Sequence, residues 1–164
     1  NWDERMVGIS LGVVGLLVGL VQGGLIRWTS PRLGNAKSIY IGLSLYTIGM
    51  MLFAFANESW MMFVFLIPYC LGGIAGPALQ AVVSANVPAN EQGEMQGTLA
   101  SLMSASAIIG PPMMTNTFYF FTHKDAPFQF AGAPFLLGGF LMLLSTFIAV
   151  YSLKKYVIAD KDNG

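Results

Sequence analysis

The chain has 164 residues, 55% of them hydrophobic and only 10% charged, against ~25% charged residues in ordinary soluble domains. Its eight basic and eight acidic residues cancel, which removes the electrostatic footprint of a nucleic-acid binder. One His and one Cys leave too few ligands for a metal site or a disulfide framework.

Five stretches contain no Asp, Glu, Lys or Arg: Met6–Ile26, Ser38–Asn57, Ser59–Asn90, Met95–Thr122 and Ala126–Leu153. A helix rises ~1.5 Å per residue, so roughly 20 residues cross a hydrocarbon core ~30 Å thick. A soluble helix would put charge on at least one face, and these segments carry none. The expected class is an all-α, polytopic integral membrane protein that contacts the lipid bilayer. Its five transmembrane helices are predicted at 6–26, 38–57, 60–83, 95–121 and 132–153. The start (1–5) and the loop 122–131 lie on one side. The basic loop 27–37, the loop 84–94 and the tail 154–164 lie on the other.

The first helix carries Gly8, Gly12, Gly15, Gly19 and Gly23 at spacings of four, three, four and four, a small-residue stripe that lets membrane helices approach closely. The loop after it holds Arg27, Arg32 and Lys37 and no acid, and the tail holds Lys154, Lys155 and Lys161. Placing loop and tail in the cytoplasm leaves only Arg5 and Lys124 outside, so the positive-inside rule predicts an outside N-terminus and an inside C-terminus. Trp2, Trp28 and Trp60 flank segment ends, where amphipathic rings anchor at the interface. The chain begins at Asn1 and not at Met. With an odd helix count, this predicts a piece of something longer.

Catalysis finds little footing. His123, beside Lys124 and Asp125, has no nucleophile arrangement around it, no carboxylates pair within a helix, and no glycine loop with a lysine could cradle phosphate. No enzyme, cofactor or metal is expected. The third and fourth helices stand apart because each carries a break: Gly76-Pro77 in one, Gly110-Pro111-Pro112 in the other. Proline removes an amide donor and kinks a helix, and paired Gly/Pro-interrupted spans point towards transport. Gly72, Gly76 and Gln80 fall at i, i+4 and i+8 of the third helix. Ser101 and Ser104 share a face of the fourth, with Asn116 further along. Such groups either bond helix to helix or line a wet path.

The run Gly72–Ser84, GGIAGPALQAVVS, followed by Glu91–Pro111, EQGEMQGTLASLMSASAIIGP, resembles the C-terminal half of major facilitator transporters, in particular the bacterial tetracycline-exporter group of drug/proton antiporters. Pro31-Arg32-Leu33-Gly34 with Lys37 resembles the basic Gly/Arg loop motif of that superfamily. The resemblance implies helices eight to twelve of a twelve-helix protein in a bacterial cytoplasmic membrane. It implies alternating access, with protons exchanged for a small-molecule substrate at a site shared with the missing N-terminal helices. The path candidates are then Gln22, Tyr46, Gln80, Ser101, Ser104 and Asn116, with Arg32, Gly34 and Lys37 as the loop device. The sequence departs from the group at two places. Tyr46 stands where those exporters place an acid, and Val18 where some place a histidine, so any proton-coupling carboxylate is expected outside this chain. Rival expectations are facilitator uptake or metabolite export, and a membrane scaffold that transports nothing.

Overall fold

A computed structural model describes residues 4–123, 126 and 128–162. Trp2, Lys124 and Asp125 lie outside the described residues, as do the side chains of Trp28 and Pro31. Helix α1 (Glu4–Leu20) runs through a π-turn (Val21–Leu25) into α2 (Ile26–Ala54). Helix α3 (Ser59–Leu71) passes through a 3-10 turn (Gly72–Ile74) into α4 (Ala75–Ala85), and α5 (Gln92–Thr122) and α6 (Ala133–Asp162) complete the order. No strand occurs among the described residues. Three helical segments there are long and apolar enough to cross a membrane: Arg32–Ala54, Ser59–Ala85 and Ala133–Lys154. Gly8–Gly24 forms a shorter apolar helix. Residues 95–121, expected as a span, belong to α5, where Gln92, Glu94, Gln96, Thr98, Ser101 and Ser104 dilute the apolar character of the first half.

Helix α2 lies at the centre and packs against α3, α4 and α6. Lipid tails are as apolar as leucine, so helices in a membrane are held by close van der Waals approach and not by hydrophobic expulsion. Gly42 provides that approach. A Cβ placed on it would lie 2.7 Å from the Ala75 backbone nitrogen and 2.9 Å from the Gly72 carbonyl oxygen. Gly49, seven residues on, meets Tyr69 in the same way, with an added Cβ 2.9 Å from the Tyr69 Cα. On the opposite flank Gly138 and Gly139 of α6 receive Met50 and Met51. Gly132 abuts the Ala54 carbonyl so closely that no side chain fits. Fully buried Ile39 centres the core with Leu43, Ala75, Ala78 and Leu153. An aromatic chain continues it, with Tyr46 and Tyr69 edge-to-face at 5.1 Å and Phe53 5.7 Å from Tyr69.

Several expectations change. The segment 27–37, expected as a loop, is helical except at Gly34, whose φ of 74° and ψ of 161° break α2. Without a Cβ, glycine reaches this region freely, and one such residue redirects the chain without a long loop. Ser38 caps the break by donating from Oγ to the Gly34 carbonyl at 2.9 Å. The break expected at Gly76-Pro77 appears a few residues earlier, at the turn Gly72–Ile74. Proline deprives the carbonyl four residues before it. For Pro77 that carbonyl is Gly73's, inside the 3-10 turn. That turn also rotates the face expected for Gly72, Gly76 and Gln80. Gly72 is buried against Tyr46, while Gly76 and Gln80 are exposed. The second expected break does not occur, because α5 continues through Gly110, Pro111 and Pro112. Proline φ is itself helical, so the loss is confined to hydrogen bonds at the Ala107 and Ile108 carbonyls. The glycine stripe, four residues in α1 and Gly23 in the π-turn, meets no neighbour among the described residues, since a Cβ on any of its five positions would find nothing within 4 Å.

Candidate functional site

Helices α4 and α5 form an antiparallel pair joined by the short segment between Ala85 and Gln92. Gln92 closes this end. Its Nε2 donates to the carbonyls of Ser84 (3.0 Å) and Val87 (3.3 Å), and its Oε1 accepts from Ser84 Oγ at 3.3 Å. Carbonyls at the end of a helix lack their regular amide partner; the amides of Asn86 and Val87 and the Asn86 side chain turn back onto those of α4, and Gln92 adds its own bonds from the start of α5. One turn deeper, Gln80 Nε2 donates to Gln96 Oε1 at 3.2 Å. Each step of four residues back along α4 is thus matched by a step of four forward along α5. Two polar rungs tie the helices at a spacing that long amides span.

Beyond the rungs the helices diverge around a groove of about 760 Å³. Gly76, Leu79, Gln80 and Val83 line it from α4, and Gln96, Leu99, Ala100 and Met103 from α5. Small residues at Gly76 and Ala100 leave the space open, and no ionisable side chain lines it. The volume falls in the range of ~300–1,000 Å³ typical of small-molecule sites, which pair apolar walls with a few placed polar groups. Here those groups are two neutral amides. They can donate to and accept from an uncharged or amphipathic molecule, and neither can carry a proton across. Among the described residues no group of three His, Cys, Asp or Glu side chains comes together as a metal requires.

Of the six path candidates, only Gln80 lines this groove. Ser101 and Ser104 are exposed on α5 and bond back to the Gly97 and Ala100 carbonyls, each at 2.9 Å. Asn116 is exposed further along the same helix. Tyr46 is half-buried at the junction of α2 and the 3-10 turn, its hydroxyl facing Gly73. Gln22 is exposed within the π-turn, a distortion often found at functional positions. Arg32 and Lys37 are exposed on either side of Gly34. Gln92, Gln96 and Ser84 escaped the sequence reading. The visible signal was the repeat Gln92-Gly93-Glu94-Met95-Gln96, two amides four apart, matching the spacing of Gln80 and Ser84. His123 closes α5: its Nδ1 lies 3.1 and 3.0 Å from the Tyr119 and Phe120 carbonyls, and its ring stacks on Tyr119.

The sequence profile of the Major Facilitator Superfamily matches residues 1–161. The chain is 40% identical over 115 residues to the tetracycline resistance protein, class C, of Escherichia coli, a match covering 70% of this chain and 29% of that protein. It is 40% identical over 111 residues to the class G protein of Vibrio anguillarum, covering 68% of this chain and 28% of that one. The class H protein of Pasteurella multocida is 30% identical over 155 residues, covering 94% of this chain and 38% of the relative. The chain thus spans between 28% and 38% of the length of these curated relatives. No solved structure matches it. A profile match over nearly the entire chain, together with an all-helical fold of membrane-spanning segments, places this protein in the Major Facilitator Superfamily.

Proposed function

We propose that this chain supplies most of the C-terminal bundle of a secondary transporter that exports a drug-like or amphipathic small molecule in exchange for protons. The α4–α5 groove forms part of the wall of its substrate path. One observation carries the reading: a groove of about 760 Å³ in a membrane protein, apolar except for the hydrogen-bonded amides of Gln80 and Gln96. In hydrocarbon such a pair needs its own partner. Facing an open groove, it can exchange that partner for a substrate group. Names of tetracycline resistance proteins among the relatives favour efflux over uptake.

In this reading the chain crosses a bacterial cytoplasmic membrane five times, through α1, the part of α2 after Gly34, α3 with α4, α5 and α6, and its C-terminus is cytoplasmic. Helices outside this chain complete the substrate site and bring the proton-carrying groups, since the groove has none of its own. Alternating access then needs the two bundles to rock about the site. The exposed faces of α1 and α5 are the surfaces that meet the rest of the polypeptide.

The test is transport by the full-length protein carrying Gln80→Ala, Gln96→Ala or both, measured as efflux in membrane vesicles under an imposed proton gradient. Each single change lowers efflux severalfold at unchanged expression, and the double change adds little, because either one breaks the same pair. Wild-type efflux in both single variants would remove the groove from the path.

A further inference from the structure

Where α2 meets α4, just after the Gly34 break in one helix and the 3-10 turn ahead of the other, a cavity of about 50 Å³ remains. Asn35 and Ser38, three apart and so on one face of α2, line it from one side. Pro77 and Ala81, four apart on α4, line it from the other, and Ile74 of the 3-10 turn adds to the wall. All five residues belong to the spans Arg32–Ala54 and Ser59–Ala85.

The two sides differ in chemistry. Ser38 is 2% exposed. Its Oγ gives its hydrogen to the Gly34 carbonyl at 2.9 Å, which leaves the oxygen lone pairs as acceptors. Asn35 is half-buried and brings a carboxamide that both donates and accepts. The α4 side cannot answer them: Pro77 has no amide hydrogen, and Ala81 and Ile74 end in methyl groups. Enclosing polar groups against such a wall costs free energy unless a third party bonds them. A cavity of roughly 10–15 Å³ already admits a water, given roughly two to four polar partners. Small-molecule sites start near ~300 Å³, and a hard cation gathers roughly six or more oxygens, so neither suits this space.

We propose that the cavity is a binding site for water. An ordered molecule there donates to Ser38 Oγ and exchanges hydrogen bonds with the Asn35 amide, so the start of the spanning part of α2 is hydrated from inside the bundle. Interrupted membrane helices are tolerated where side chains and ordered water satisfy the polar groups that packing leaves over. This inference concerns the packing of α2 on α4 and stands apart from the transport reading.

The experiment is radiolytic hydroxyl-radical footprinting of the full-length protein in membranes, with rapid mixing into heavy-oxygen water just before the X-ray pulse and mass spectrometry of the products. Radicals formed from a bound water label the side chain beside it. Ile74 is 6% exposed and lines the cavity, whereas Ile39, at 0%, lies outside that lining. Ile74 becomes hydroxylated and Ile39 does not, and the label at Ile74 keeps the light isotope because a bound water exchanges slowly. Asn35→Leu, close in size and unable to bond water, removes the label from Ile74. An unlabelled Ile74 in wild type means a dry cavity, and immediate heavy-isotope incorporation means bulk water; either overturns the site, as does labelling that survives Asn35→Leu. The wild-type isotope result needs no variant. Should Asn35→Leu not fold, Ala81→Val fills the same space from α4 and must likewise remove the label.

Discussion

Replacing Gly42 by alanine tests the central claim about how this bundle holds together. The added methyl would lie 2.7 Å from the Ala75 nitrogen, 2.8 Å from the Ala75 Cβ and 2.9 Å from the Gly72 oxygen. These distances fall roughly 0.8 Å short of ordinary carbon contact. Two of the three atoms are backbone, so no rotamer change relieves them, and α2 must move away from the 3-10 turn. A gap of that size forfeits a quarter to a half of the dispersion attraction across the contact, and overpacking of this kind costs ~1–3 kcal/mol. Alanine returns ~1 kcal/mol in helix propensity, leaving a net loss of ~0–2 kcal/mol, up to a factor of ~30 in the folded-to-unfolded ratio, and a difference of ~1–3 kcal/mol from a glycine-to-alanine change that meets no neighbour. The assay is unfolding of the full-length protein by increasing SDS in mixed micelles, with Gly93→Ala as the control. A Cβ at Gly93 meets nothing within 4 Å, so that change leaves stability unaltered or raises it. Gly72→Ala destabilises as well, since its Cβ would be 2.7 Å from the Tyr46 ring and 2.9 Å from the Gly42 oxygen. The double variant loses less than the sum, because one separation relieves both clashes. If Gly42→Ala and Gly93→Ala behave alike, the close crossing is not what holds α2 in place.

Three further outcomes follow from single residues. Gln92→Ala removes all three hydrogen bonds that tie α5 to the end of α4; ~1–2 kcal/mol is lost, and hydrogen exchange at the amides of Val87–Met95 quickens while the core around Ile39 stays protected. Gly34→Ala places a side chain at φ 74° and ψ 161°, a region essentially reserved for glycine, and lowers stability by ~1–3 kcal/mol; a variant as stable as wild type would mean that α2 can run straight through this point. Cys70 is a free thiol with 4% of its surface exposed, so a water-soluble maleimide labels it only after denaturation, and labelling in intact membranes would place water in the α2–α3 interface.

The class of this protein was legible in the chain because the membrane imposes its requirement locally. A span must lack charge over about 20 residues whatever it packs against, and the charge-free runs satisfy this one after another. Family membership was legible for a related reason, since Gly72–Ser84 and Glu91–Pro111 carry their motif within short contiguous runs. Gln80 also stood out, as an amide inside an apolar run. What it bonds to did not. Periodicity identifies which residues share a face and is silent about what lies opposite. Gln96 therefore became significant only when α5 folded back in antiparallel register onto α4.

The helix breaks show the same boundary. Two Gly-Pro signals of equal strength gave one break and one continuous helix. A proline dictates which hydrogen bond is missing but not whether its neighbours use the slack. At Pro77 the deprived Gly73 lies in the turn that α2 crosses, where Gly42, Gly72 and Ala75 approach at backbone distance. At Pro111 and Pro112 the surrounding α5 has no buried residue, and nothing bends it. Charge-free length and local motif are properties of the chain alone. Register, the site of a kink and the groove between α4 and α5 depend on which helix lies across the gap, and that is decided only when the helices pack.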